Sequence, residues 1–282
     1  MGRGSVTYSQ TRQITNSSDA NTRPPFEPEK IAAAAVGATD KFYDTTSAFD
    51  GSTSALLSQC EKEGVDHAVI QSVATTPHQV SSINRFIAKT VEQANGKFTG
   101  LGTLHPDGDI ATDVKEIIAL GLHGVKLHPD IQRFKIDDYR CLKIYELCEK
   151  EGLPILMHTG DNRYDFSNPN RLLPILDIYT DLVVIGAHLG GWSIWEEAGE
   201  VYPEYKNFYV DTSSTLSFCG VEVMKNTIEK YGADKVMFAT DYPMGAQKTE
   251  LEALLSMGFS DEDYKKIFSE NAKKVFKIKT NI

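Results

Sequence analysis

At 282 residues, with 41% hydrophobic and 24% charged residues, the chain has a soluble globular composition. It is long enough for one barrel-sized domain or two smaller ones. Its net charge is −10, and the nearest thing to a basic patch, KKVFKIK (273–279), reads as a helix end with cations at the favourable pole. This disfavours nucleic acid and anionic membrane as partners. No apolar run approaches the roughly 20 residues that cross a bilayer, and the polar start lacks the apolar core of a secretory signal, so a cytoplasmic location is expected. Four scattered cysteines, Cys60, Cys141, Cys148 and Cys219, have no zinc-finger spacing and read as reduced core thiols.

Residues 1–28 form a polar N-terminal arm in this reading. Twelve of them are Ser, Thr, Asn or Gln, so too little apolar surface is present to mark a buried strand. VTYSQTRQI (6–14) could supply an edge strand or hairpin arm. Prolines at 24, 25 and 28 then break the chain before a short helix in EKIAAAAV.

From about residue 50 helices and strands alternate. A helical pattern at 54–64 precedes a strand at 67–74, and one at 82–95 precedes 98–104. The pattern at 110–120 leads to GVKLHP (124–129), and 138–151 leads to PILMHTGD (154–161). Helix 169–179 leads to 182–190, 192–205 to 208–214, and 221–231 to 236–243, with helical segments after Thr249. Short apolar runs bounded by Pro and Gly fit strands buried on both faces, as in a parallel sheet. Strand ends at Leu104, His128, His158, His188, Ser213 and Asp241 fall 24 to 30 residues apart. A (β/α)8 TIM-type barrel has a period near ~31. Seven units are visible, and the first strand would have to come from before Lys30. The rival is an open doubly wound sheet, which usually carries a Gly-rich first turn; no such motif is present. The expected organisation is an arm at 1–28 and a single barrel domain at 29–282.

In such a barrel every strand delivers its C-terminal residues to one face, where active sites lie. His105, His128, His158, His188 and Asp241 would then ring one mouth. Imidazoles with a carboxylate are ligands for zinc and related divalent ions, and a carboxylate beside such an ion can carry the proton of a bound water. Each residue has a plainer reading. His105 and His128 precede Pro and suit loop packing, His123 belongs at the opposite face, and His67 and His78 carry no functional argument. Asp161 and Asp211 suit turns or caps. Asp241 stands apart, because a carboxylate after Val-Met-Phe-Ala-Thr is costly to bury unpaired. Arg163 is a candidate clamp for an anionic substrate or else a solvated loop residue, and Trp192 either walls the pocket or opens the next helix.

GVKLHP, LMHTG, GAHLGG, NFYVDTSS, KVMFATDYPMG and IFSENAKKVF, in that order over roughly residues 28–278, resemble the amidohydrolase superfamily. The resemblance is to its amidohydrolase-2 branch of metal-dependent hydrolases and aminocarboxymuconate-semialdehyde- or resorcylate-type decarboxylases. It implies that His158 is a metal ligand, that Asp241 is both ligand and proton carrier, and that His188 binds or polarises the substrate near the metal. His128 matches a histidine often seen at the fourth strand, with a less settled role, and is a candidate for substrate binding; Asn271–Phe276 matches the structural closing helix. One departure is plain. The branch begins with His-x-His on the first strand, and no histidine precedes His67 here. DANTR (19–23) is the positional counterpart, with Asn21 and Arg23 in the histidine places; Asn is a poor zinc ligand and Arg offers no lone pair. A catalytic zinc needs about three protein ligands, which His158, Asp241 and an inward-turned His188 would supply.

The expected function is a metal-dependent hydrolase of amidohydrolase type, most simply with zinc, acting on a small carbonyl- or carboxylate-bearing substrate through water activated by Asp241. The alternatives are a related non-oxidative decarboxylase, a metal-independent lactonase, and a catalytically silent barrel that has lost its histidine pair. Expected partners are the small-molecule substrate and, in a homodimer, a second copy.

Overall fold

The computed structural model describes residues 3–7, 10–12, 36–37 and 39–279. Its strands, in chain order, are β1 (Arg3–Thr7), β2 (Gln10–Arg12), β3 (Val65–Ile70), β4 (Ser72–Ala74), β5 (Phe98–Gly100) and β6 (Gly102–Thr103). They continue with β7 (Val125–Leu127), β8 (Ile155–Met157), β9 (Val184–Gly186), β10 (Phe208–Asp211) and β11 (Val236–Met237). All their pairings are parallel. Three pairs of short strands are halves of longer staves, so the eleven make eight staves of a (β/α)8 barrel. The break at Gln71 divides β3 from β4, and the break at Leu101 divides β5 from β6.

The first stave comes from the polar segment expected to be an arm. β1 lies beside β3 with Arg3 level with Val65, and β2 beside β4 with Gln10 level with Ser72. The register does not slip between the two, so β1 and β2 run as one line along their neighbour. DANTR (19–23) lies outside the described residues.

Helices fill the connections, and their ends are capped as their sequences dictate. Ser52 accepts a bond from the Ala55 amide at the start of helix Thr53–Glu63, and Gly64, at φ 68°, closes it. Asp109 accepts from the Thr112 amide at the start of Ile110–Ala119. Leu216–Tyr231 starts five residues before the expected helix at 221–231 and is kinked at Gly220, where the φ of 77° suits only glycine. Among the described residues, no helix is long and apolar enough to cross a membrane.

Period-two alternation sorts the strand residues into two layers. Val125, Leu127, Ile155, Met157, Val184 and Val210 face outward to pack with helical residues such as Ile144, Cys148 and Leu172. Val69, Leu101, Leu156, Ile185 and Met237 face the barrel interior, with Val275, Phe276 and Ile278 in the same cluster. Lys126, between two outward residues, takes an inward position level with Leu156 and is only 3% exposed. His123 bonds the Phe276 carbonyl through Nδ1 at 2.6 Å, which ties it to that end of the interior, opposite the strands' C-terminal ends.

Candidate active site

His128 and His158 each lie one residue beyond their strands, on the inward side, because Leu127 and Met157 face out. Both are buried. Their rings stack face to face, centroids 4.0 Å apart and planes 8° apart. His188 follows β9 and meets His158 edge-on, with Nε2 3.0 Å from His158 Nδ1. This approach depends on glycine. A Cβ on Gly160, at φ 73°, would stand 2.6 Å from the Cα of Gly191, so the loop after His158 can lie directly on the loop after His188.

For a neutral His188 ring, the hydrogen bonds fix where the protons are. The Ser213 hydroxyl donates to Asp211 Oδ1, so its oxygen can only accept from His188 Nδ1 at 3.0 Å, as can the Ser213 carbonyl at 2.8 Å. His188 Nδ1 therefore carries a hydrogen, and its Nε2 accepts from His158 Nδ1–H. What remains on His158 is a bare lone pair at Nε2. That atom is buried and has no hydrogen-bond partner. It looks at Asp130 Oδ2, 3.7 Å away, while Asp130 Oδ1 is likewise buried and unpartnered. Asp130 is held by the Ser167 hydroxyl, which donates to Oδ2 at 2.6 Å.

Burial disfavours charge on His128, His158 and Asp130. Burial, followed by His128 and His188, holds the His158 imidazole well below its ordinary range. Burial and then Lys126 do the same to His128. Burial is the main cause pushing Asp130 up to about 7. His158 and Asp130 are thus not an ion pair. His158 Nε2 and Asp130 Oδ2 instead face each other in a buried site, an arrangement that calls for a proton or a cation between them. Lys126 is the buried cation nearby; burial lowers its pKa, while Asp211 and Asp241 oppose that shift.

Asp241 follows β11 after Phe238-Ala239-Thr240, with φ 55°, and accepts a 2.7 Å bond from the Ser214 hydroxyl. Its placement at a strand's C-terminal end matches the expectation, but the carboxylate whose ligand atoms gather with the histidines is that of Asp130. One ligand atom each of His128, Asp130 and His158 lies within 4.8 Å of the others. His188 has both ring nitrogens engaged. The donor set suits a divalent ion at His158 and Asp130, with imidazole and carboxylate atoms free to face it.

A helical turn at 39–43 covers the mouth. The Tyr43 hydroxyl sits 2.8 Å from His128 Nε2, and its ring lies 6.3 Å from that of His158 and 5.5 Å from Trp192. Trp192 also meets Phe218 at 5.4 Å. Arg163 directs Nε and one terminal nitrogen to the buried Asp161 at 2.9 and 2.7 Å, and the other to the Phe42 carbonyl at 3.2 Å. The rings of Phe42, Tyr43, Tyr164 and Trp192 surround its guanidinium at 5.0–5.3 Å. Arg163 thus pins the covering turn to the loop after β8. His105 sits at the same end, where its Nδ1 accepts from the Asp107 amide at 3.2 Å.

Sequence reasoning missed Asp130, Tyr43, Ser213 and Lys126. Asp130 had a weak signal, a carboxylate two residues past a strand-end histidine. Tyr43 had none, because its contact with His128 spans 85 positions.

The model of the amidohydrolase family matches residues 20–278; the chain belongs to that family. The match begins inside DANTR and takes in Asn21 and Arg23. No curated protein matches the chain. Among solved structures, the chain is similar to 5-carboxyvanillate decarboxylase from Sphingomonas paucimobilis, with TM-score 0.71, 17% identity, and 99% and 100% of the two chains covered. A TIM-barrel protein from Bordetella bronchiseptica superposes with TM-score 0.73 at 20% identity, over 97% of this chain and 98% of that one. A dihydroxybenzoic acid decarboxylase from Polaromonas, which holds manganese and 2-nitroresorcinol, gives TM-score 0.68 at 15% identity, over 98% and 97%. At such identities the likeness establishes the barrel.

Proposed function

We propose that the chain is a divalent-metal-assisted enzyme that removes the carboxylate from a small aromatic acid without oxidation. The observation that carries this reading is the ring-lined mouth. Phe42, Tyr43, Tyr164, Trp192 and Phe218 stand in contact around the strand ends, a surface suited to a flat ring. The solved decarboxylases of aromatic acids with this barrel, one of them holding manganese, add support for the substrate class and favour manganese over the zinc first expected.

A bound divalent ion would polarise the substrate's oxygen atoms and offset their charge. Asp241, protonated from solvent, delivers that proton to the ring carbon bearing the carboxylate and is left ionised. The carbon–carbon bond then breaks, its electron pair returns to the ring, and carbon dioxide leaves. His188 holds His158 in the tautomer whose Nε2 faces the site, and Trp192 walls the pocket. Arg163 acts on substrate only when the covering turn moves, because its guanidinium now holds the Phe42 carbonyl and Asp161.

Hydrolysis is the second reading, favoured by the site of Asp241. Its strand-end carboxylate, held by Ser214, could instead take the proton of an attacking water. The metal-independent lactonase and the silent barrel become outcomes of the same test. Purified protein with added Mn2+ is offered hydroxybenzoates, lactones, esters and amides, and products are read by NMR. Loss of carboxylate from a hydroxybenzoate is expected, with Asp241→Asn slower by at least ~10²-fold. Turnover confined to lactones, esters or amides selects hydrolysis, and unchanged turnover in Asp241→Asn overturns both readings.

A further inference from the structure

We infer that this chain seats its divalent ion on the His158 Nε2 and Asp130 carboxylate, with His128 as third ligand, rather than on the set His158, His188 and Asp241. The inference rests on the reading of the mouth as a metal-assisted site. Three observations carry it. The proton positions leave His158 Nε2 as a bare donor atom, buried, without a partner and aimed at a carboxylate 3.7 Å away. That carboxylate has one oxygen fixed by Ser167 and the other buried and unpartnered. Among the described residues, the group of His, Cys, Asp or Glu whose ligand atoms converge within 4.8 Å is His128, Asp130 and His158.

The alternative set is at odds with the same geometry. His188 Nδ1 faces the Ser213 carbonyl and hydroxyl, and its Nε2 receives the His158 hydrogen, so neither nitrogen is open to an ion. Asp241, its Oδ2 held by Ser214, lies outside the group whose ligand atoms converge. His128 needs two rearrangements, because Tyr43 meets its Nε2 and the Ile131 amide donates to its Nδ1 at 3.3 Å. Ring lone pairs lie in the ring plane, and two rings stacked at 4.0 Å and 8° cannot both aim at one ion. Tyr43, bonded to Nε2, holds His128 in that stack. The tyrosine therefore acts as a latch: when it withdraws and the Ile131 amide releases Nδ1, His128 can turn toward the seat that His158 and Asp130 already form.

Mn2+ binding to the full-length protein, followed by the loss of the free-ion EPR signal, tests this without reference to turnover. Asp130→Asn is expected to weaken binding by at least ten-fold, Asp241→Asn to leave it within two-fold, and Tyr43→Phe to tighten it by three-fold or more. Circular dichroism confirms that each variant is folded; if Asp130→Asn does not fold, His128→Gln takes its place with the same expected weakening. Binding lost in Asp241→Asn and kept in Asp130→Asn overturns the seat while leaving the proposed function standing. Absence of Mn2+, Co2+ and Zn2+ binding in the wild type overturns the seat and the metal part of that function together. Unchanged affinity in Tyr43→Phe overturns the latch and the third ligand.

Discussion

The Ser213 carbonyl determines what His158 can do. It accepts the His188 Nδ1 hydrogen, and that one bond passes down the pair to leave His158 Nε2 without a proton. A second residue-scale consequence lies behind Asp241. Glu250 is buried, its Oε2 has no hydrogen-bond partner, and burial, then Asp241, push its carboxyl up to about 8. The unfolded carboxyl titrates near ~4.3. Between these values the folded chain keeps a proton that the unfolded chain has released, so stability falls as pH rises through the window and levels off above it. Glu250→Gln fixes the neutral form. It should be more stable than wild type at pH 8 by on the order of a few kcal/mol, with the gap closing toward pH 4. Urea melts at pH 5 and pH 8 read this directly, and an identical pH dependence in the two proteins would contradict it. His128, His158, His188 and Asp241 were legible in the sequence because each ends an apolar run. Asp130 was not, since burial and an open face are set by the Ser167 and His158 side chains, which the sequence does not place beside it.

At the scale of elements, the mouth is built by turns that regular secondary structure avoids. His188, Ser214 and Asp241 follow successive strands with φ of 59°, 45° and 55°. Such conformations cost non-glycine residues roughly 1 kcal/mol each and gather at functional sites. The loops after β8 and β9 touch backbone to backbone at Gly160 and Gly191. Gly160→Ala would add a left-handed penalty to a clash with backbone that has nowhere to go, and should lower stability by about 2–4 kcal/mol. Gly64→Ala, also left-handed but with open space around it, should lower it by only about 1 kcal/mol. Equal effects of the two in denaturant titration would show that the Gly160 contact is not tight. The strands from Val65 onward were legible because burial on both faces leaves unbroken apolar runs. Their interruptions at Gln71 and Leu101, and the short 188–190 turn after β9, were not, because twist and closure decide them.

At the scale of the molecule, eight staves bring residues from distant parts of the chain to one face. The barrel was legible in the even spacing of strand ends, since a repeating β/α unit imposes its own period. Its first stave was legible only as a strand required before Lys30, with 6–14 as a candidate edge strand. β1 and β2 lie in a segment rich in Ser, Thr and Gln, and their place is shown by pairing with β3 and β4 rather than by hydrophobicity. The covering turn at 39–43 also escaped, because nothing in KFYD announces a contact with the loop after β7. In the function proposed above, the barrel, rim histidines, Asp241 and aromatic mouth serve to take the carboxylate off a ring. The most direct test is turnover of a hydroxybenzoate carrying ¹³C in its carboxyl group, in D2O with Mn2+. The account predicts one ¹³CO2 released per product molecule and one deuterium on the vacated ring carbon. Retention of the label in the ring acid, or its appearance in any product other than carbon dioxide, would contradict it.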